Sequence, residues 1–182
     1  NAHLIAIITG SNEDDVYQQA GDVLKICEGL GAVDTVMAET REEQADILKM
    51  RSELYSVLKP TVADVLDMAI PPAEIAVFLD MVDEIGKKYH TRIITYGHAG
   101  DGNLHPHLPL ELHERGQLKA VKLDLYQAAI KLGGTITAEH GVGKCRLNEV
   151  PLNIDPKSLE LMRGLKKLFD PNGILNPGTA IP

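Results

Sequence analysis

Hydrophobic and polar positions along the chain change period several times, and each change predicts an element. Residues 4–9 (LIAIIT) form a short apolar run ended by Gly10, the pattern of a buried strand. Ser11 with Asp14 three positions on resembles a helix-capping box. Val16, Ala20, Val23, Leu24, Cys27 and Leu30 then keep helical spacing until the glycines at 29 and 31. Residues 33–38 alternate and predict a second strand. Thr40 and Glu43 form a capping box proper, opening a helix to about residue 58, where Pro60 closes it. A brief strand is expected at 67–70. Pro71-Pro72 then opens a helix that carries Ile75, Phe78, Met81, Val82 and Ile85 on one face.

A β-branched stretch at 91–96 predicts a strand that runs into the loop GHAGDGN and out again as a strand at 104–110. A helix over about 114–132 stops at Gly133-Gly134, followed by a strand at 135–137 and the loop AEHGVGK. Asp155 caps the last helix, Pro156 takes its first position, and the helix runs to Phe169. The connection between the strands at 91–96 and 104–110 is too short for a parallel crossover. The expected fold class is therefore α+β, a mostly antiparallel sheet with helices on one face. Two β-α-β passes suggest a duplicated ferredoxin-like plan. The 182 residues read as one domain, with no linker standing out.

Composition removes several classes of function. The net charge is −8, with 18 basic and 26 acidic residues and no basic run, the wrong sign for a surface that grips phosphates. Aromatic residues make up 4% and tryptophan is absent, so a base-stacking surface is not expected; nucleic acid is not a predicted partner. No apolar run reaches the ~18 residues that span a bilayer, and the first residues do not read as a signal peptide. Cys27 and Cys145 form no C-x-x-C pair and suit free thiols in a reducing cytoplasm. A chain that begins at Asn1 and enters an apolar run at once reads as a piece of a longer polypeptide.

Polar groups concentrate beyond what a fold requires in three places. In Tyr96-Gly97-His98-Ala99-Gly100-Asp101-Gly102-Asn103-Leu104-His105-Pro106-His107, strand alternation puts His105 and His107 on one face and Leu104, Pro106 and Leu108 on the other. The glycines allow the loop to fold back and bring His98 to His105. Two imidazoles beside a carboxylate suit zinc, manganese or iron(II). The Gly-x-Gly here precedes a strand and so is no dinucleotide loop. In Thr137-Ala138-Glu139-His140-Gly141-Val142-Gly143-Lys144, Glu139 can complete a His-His-Glu set and His140 can act as a general base. Arg51, Lys144 and Arg146 are cations able to hold an acidic substrate, although a solvated helix-face residue is the default for Arg51. These patterns reach a metal site with a neighbouring base and do not choose between hydrolysis, redox work and binding.

HAGDGNLHPH, AEHGVGK and the closing LFDPNGILNPG together resemble the C-terminal domain of the FAD-linked oxidases, the family that includes the flavin-linked glycolate oxidase, D-lactate dehydrogenase and D-2-hydroxyglutarate dehydrogenase. The resemblance covers essentially the whole chain. It implies that residues 1–182 are a ferredoxin-like substrate and metal cap over FAD held by a separate N-terminal domain, which this chain does not supply. His98 and His105 resemble the histidine metal ligands, Glu139 the carboxylate ligand and His140 the catalytic base. Arg51 resembles a substrate-carboxylate arginine, with His107, Lys144 and Arg146 as further substrate contacts and Asn103 and Asn176 beside the cofactor. The implied reaction is metal-assisted oxidation of a 2-hydroxy acid to the 2-oxo acid, with hydride transfer to FAD and zinc as the first choice of ion. The implied partners are the FAD domain, a small 2-hydroxy acid, an electron acceptor and a second copy of the chain, in a cytoplasmic or membrane-peripheral setting. The chain alone is expected to be inactive. Arg146 and Thr179 stand where lysines are usual, and Leu48 where Trp is common, which bears on the acid rather than the reaction. A stand-alone metallohydrolase and a non-catalytic docking remnant are the competing readings.

Overall fold

A computed structural model describes residues 2–182, which divide into two compact units, one ending at Val57 and the other spanning Leu58–Pro182. The first unit holds two helices, α1 (Glu13–Gly29) and α2 (Arg41–Leu58), α2 ending one residue into the second unit. Asn12, not Ser11, caps α1: its side chain accepts from the Asp15 backbone N–H at 2.9 Å. The capping box of α2 forms as expected. Glu43 N–H donates to Thr40 Oγ1 at 3.2 Å, and Thr40 N–H donates to Glu43 Oε2 at 2.9 Å.

The strands expected at 4–9 and 33–38 do not form. Both stretches lack regular structure, and Leu4, Ile7, Val33 and Val36 are exposed. A strand exists only where a neighbour meets its N–H and C=O groups, and among the described residues no ladder reaches either stretch.

The second unit is built around β4 (Asn103–Pro109), the central strand of an antiparallel sheet. On one side it pairs with β3 (Ile94–His98), His98 opposite Asn103 and Ile94 opposite His107. On the other side lie β1 (Val62–Val65) and β2 (Met68–Ala69), two pieces of one path interrupted at Leu66-Asp67. The expected strand at 135–137 reduces to a single bridge, Thr135 opposite Ala69. The helices of this unit follow the plan only in part. The expected helix over 114–132 begins later, as α5 (Leu118–Lys131), because Gly116 turns the chain at φ 66°; a separate short α4 (Leu110–Glu114) precedes that turn. α3 (Ile75–Lys88) comes before the hairpin. The short α6 (Val150–Asn153) and the Asp155-capped α7 (Pro156–Phe169) come after it.

Leu66, Met68, Leu104 and Leu108 project from one face of the sheet into the core. There they meet Phe78 and Val82 of α3, Leu112 of α4 and Val121, Leu125 and Ala129 of α5. Each such buried aliphatic or aromatic side chain contributes roughly 1.5–3 kcal/mol. The architecture is α+β, with these helices on one face of an antiparallel sheet, which leaves the other face to the polar residues. Among the described residues no helix is long and apolar enough to cross a membrane.

Candidate metal and substrate site

Residues directly opposite in an antiparallel pair share a face, so His98, Tyr96 and Ile94 lie on the same side as Asn103, His105 and His107. Turning the chain back between His98 and Asn103 depends on two glycines. Gly102 has φ 71°, and a Cβ there would lie 1.9 Å from the Ile70 carbonyl oxygen. A Cβ on Gly97 would lie 2.1 Å from the Asn103 carbonyl oxygen.

The segment 137–140 lies against this face and brings Glu139 into the middle of the imidazoles. Glu139 Oε1 is 3.2 Å from His105 Nε2, 3.6 Å from His140 Nε2 and 3.8 Å from His98 Nε2. Two donors ~2.0–2.1 Å from one tetrahedral ion sit about 3.3 Å apart, so this spacing suits ligands of a single cation. His105 is buried, whereas the His98, Glu139 and His140 side chains are about half open, leaving a route for a small molecule. The His105 and His140 rings stack with centroids 5.0 Å apart, and His98 meets His105 edge-on at 5.9 Å.

One residue of this cluster is not singled out by its sequence pattern. Asp67, at the interruption between β1 and β2, is fully buried. Its Oδ2 accepts from Thr137 Oγ1 at 3.1 Å, Ala138 N–H at 2.8 Å and His140 N–H at 2.9 Å. Burial alone would push this carboxyl up, but the backbone N–H groups of Ala138, His140 and Glu139 outweigh it and hold Asp67 below the usual range. Burial, helped by the nearby His140, pushes His105 down despite the two carboxylates, and burial likewise pushes His107 down. A low-pKa imidazole stays neutral, the form that binds metals. Asp67, His105, Glu139 and His140 also offer donor atoms all within 4.8 Å of one another. Oδ2 of Asp67 already takes three hydrogen bonds, and His98 Nε2 lies 3.8 Å from the same Glu139 oxygen that His105 and His140 approach. The clue in the sequence was a charge inside the apolar run Val65-Leu66-Asp67-Met68-Ala69-Ile70.

The remaining candidates fall at different distances from this cluster. His107 stacks on Tyr96 at 4.4 Å, and its Nδ1 lies 2.7 Å from the His105 carbonyl oxygen, bracing the strand that carries His105. Asn103 is buried beside His98, its Oδ1 without a hydrogen bond. Lys144 is exposed on the turn that follows His140. Arg146 is buried: it donates to the Tyr126 hydroxyl at 2.7 Å and to the Val65 carbonyl, and lies 3.4 Å from Asp64. That commits its guanidinium to the interior. Asn176 lies in the exposed tail, which returns to the glycine turn through Ala180 N–H and the Gly143 carbonyl at 2.8 Å. Arg51 is exposed on α2, in the first unit.

The fold is an α+β domain whose polar sheet face gathers three imidazoles around one carboxylate, a donor set able to hold a cation. Residues 1–180 match the family described as "FAD linked oxidases, C-terminal domain", and the chain belongs to that family. It is 40% identical to D-lactate dehydrogenase of Archaeoglobus fulgidus over 99% of this chain and 39% of that protein. It is 37% identical to glycolate oxidase subunit GlcD of Bacillus subtilis over 84% of this chain and 34% of that protein. Mitochondrial D-2-hydroxyglutarate dehydrogenase of Arabidopsis thaliana is 30% identical over 100% of this chain and 33% of its own length. The chain thus spans about a third to two-fifths of these relatives.

Proposed function

We propose that this chain is the substrate-side domain of a FAD-dependent 2-hydroxy-acid dehydrogenase of the D-lactate or glycolate type. The observation that carries the reading is the ring of His98, His105 and His140 Nε2 atoms, 3.2–3.8 Å from Glu139 Oε1. His98, His105 and Glu139 would hold the divalent ion, zinc by first choice, with manganese and iron the others. When bound, the ion supplies Lewis-acid polarisation of the substrate hydroxyl, and FAD, held by a part of the protein outside this chain, supplies the two-electron acceptor.

The chain's own residues bind the acid, orient it and take its proton. His140 Nε2, 3.6 Å from Glu139 Oε1, stands beside the ligands and accepts the 2-hydroxyl proton. Its backbone N–H is tied to Asp67, which limits where the ring can swing. Stacking on His105 fixes the plane of the imidazole. Lys144, exposed four residues further on, supplies a cation for the substrate carboxylate. Holding the acid with its hydroxyl against this cluster and its α-carbon toward the flavin turns an encounter into a near-attack geometry. Since FAD lies outside the chain, residues 1–182 alone are expected to be inactive.

The test is made on the full-length protein that contains this chain. Anaerobic mixing with D-lactate or glycolate should bleach the flavin. His140→Ala should slow bleaching by about 10²–10⁴-fold while bound metal is retained. An unchanged rate in that variant would remove His140 from its role, and no bleaching with any 2-hydroxy acid would remove the reaction class.

A further inference from the structure

Asp67 uses one carboxylate oxygen for three hydrogen bonds and keeps the other for something else. Its Oδ1 is buried without a hydrogen bond, and so is His105 Nδ1. These two atoms are 3.7 Å apart, one an acceptor and the other able to donate. That is longer than a hydrogen bond, and closing it takes a shift of less than ~1 Å. We propose that Asp67 is the positioning residue of the metal site: Oδ1 receives the Nδ1–H of His105, while Oδ2 latches the segment that carries Glu139 and His140. The assignment rests on the metal reading given above.

The proton count of the ring leads to the same place. A neutral imidazole has one N–H for two nitrogens, and His105 faces a carboxylate on each side. Nδ1 looks to Asp67 at 3.7 Å, and Nε2 looks to Glu139 at 3.2 Å. With the proton on Nδ1, the Nε2 lone pair opposes a carboxylate oxygen, an arrangement that is favourable once a cation lies between them. With the proton on Nε2, that nitrogen is closed to a metal and Nδ1 opposes Asp67. Asp67 therefore selects the tautomer that makes His105 a ligand, the role carboxylates commonly play behind metal-binding histidines. The Leu66 backbone also lies within hydrogen-bonding reach of this ring.

Asp67 also sets the distance between ligands from remote parts of the sequence. His105 sits on β4, and Glu139 belongs to the segment whose backbone is held at Ala138 and His140. One buried carboxylate at the interruption of the β1–β2 path touches both. This is why an aspartate is found in an otherwise apolar stretch, and why the strand breaks there.

The experiment uses the full-length protein, stripped of metal and titrated with Co(II), with its d–d absorption read beyond the flavin bands. Asp67→Asn keeps the volume but cannot serve both sets of donors, and it should weaken Co(II) binding about 10–100-fold and change the band. Thr137→Val removes one latch bond without touching His105 and should stay within about threefold of wild type. Asp67→Asn matching wild type in both affinity and band would overturn the assignment of Asp67 alone. Failure of wild type to bind Co(II) would overturn the metal reading and this assignment with it. Should Asp67→Asn not fold, selective ¹⁵N-histidine NMR on the wild-type protein decides: His105 protonated at Nδ1 supports the proposal, and at Nε2 overturns it.

Discussion

Arg146 and Tyr126 are buried together in the second unit, and their pairing has a consequence in alkaline solution. Burial pushes the Tyr126 hydroxyl up to about 12, with the Arg146 guanidinium opposing the shift. An unfolded tyrosine ionises near ~10. Below that pH both states carry the proton and the stability is fully present; between about 10 and 12 only the unfolded state loses it, so stability falls as pH rises. The expected loss approaches ~3 kcal/mol across that window. Urea unfolding at stepped pH should show this slope in wild type and lack it in Tyr126→Phe; a slope that survives the substitution would assign it elsewhere. The same pair keeps the Arg146 guanidinium in the interior. In the sequence Arg146 stands out only as a cation able to hold an acid, because burial is invisible there. Asp67 is the reverse case, expected as part of a strand and found at the centre of the cluster. Alternation made the His105 and His107 face legible, since a period of two needs only the local chain.

At the scale of elements, the β3–β4 hairpin is where sequence and geometry agree most closely. Its glycines mark close backbone approaches that no other residue permits. Gly102→Ala would place a methyl group on the Ile70 carbonyl in a left-handed backbone conformation. Strain alone should cost about 1–3 kcal/mol before the clash is added. A urea midpoint equal to that of wild type would contradict this reading. The helix expected over 114–132 starts only at Leu118 because Gly116 takes a positive φ, and a lone glycine within a helical pattern carries no fixed sign. β1 is hidden in the sequence because Val62–Val65 carries Asp64 and lies directly behind a proline-terminated helix. The failed strands at 4–9 and 33–38 make the complementary point. Their apolar pattern is genuine, but a pattern states a capacity to pair and does not supply the partner.

For the whole molecule, the proposed ligand set joins three stretches of the second unit: the end of β3, the middle of β4 and the segment 137–140. An ion held there links metal to stability. At a free ion concentration a hundredfold above Kd, the native state gains about 2.7 kcal/mol. Removing metal from the full-length protein with a chelator should therefore lower Tm, and restoring it should return Tm. His98→Ala should abolish the difference while leaving the metal-free Tm close to that of wild type. A Tm indifferent to metal would speak against a filled site.

Local pattern was enough to read the fold class and the donor-rich segments. The sequence contained the antiparallel pairing forced by a short connection, the capped helices, the polar sheet face and the residues able to bind a divalent ion. The family, too, was legible from three motifs. Packing of distant segments decided which charges are buried and which gather on the polar face. Arg146 went inward, Asp67 went to the cluster, and Glu139 came to stand among three histidines from separate stretches of the chain. The reason is physical: local periodicity reports which face a side chain shares with its near neighbours, whereas burial, ligand distances and the partner of a buried carboxylate depend on segments some seventy residues apart (Asp67 to His140) being packed together.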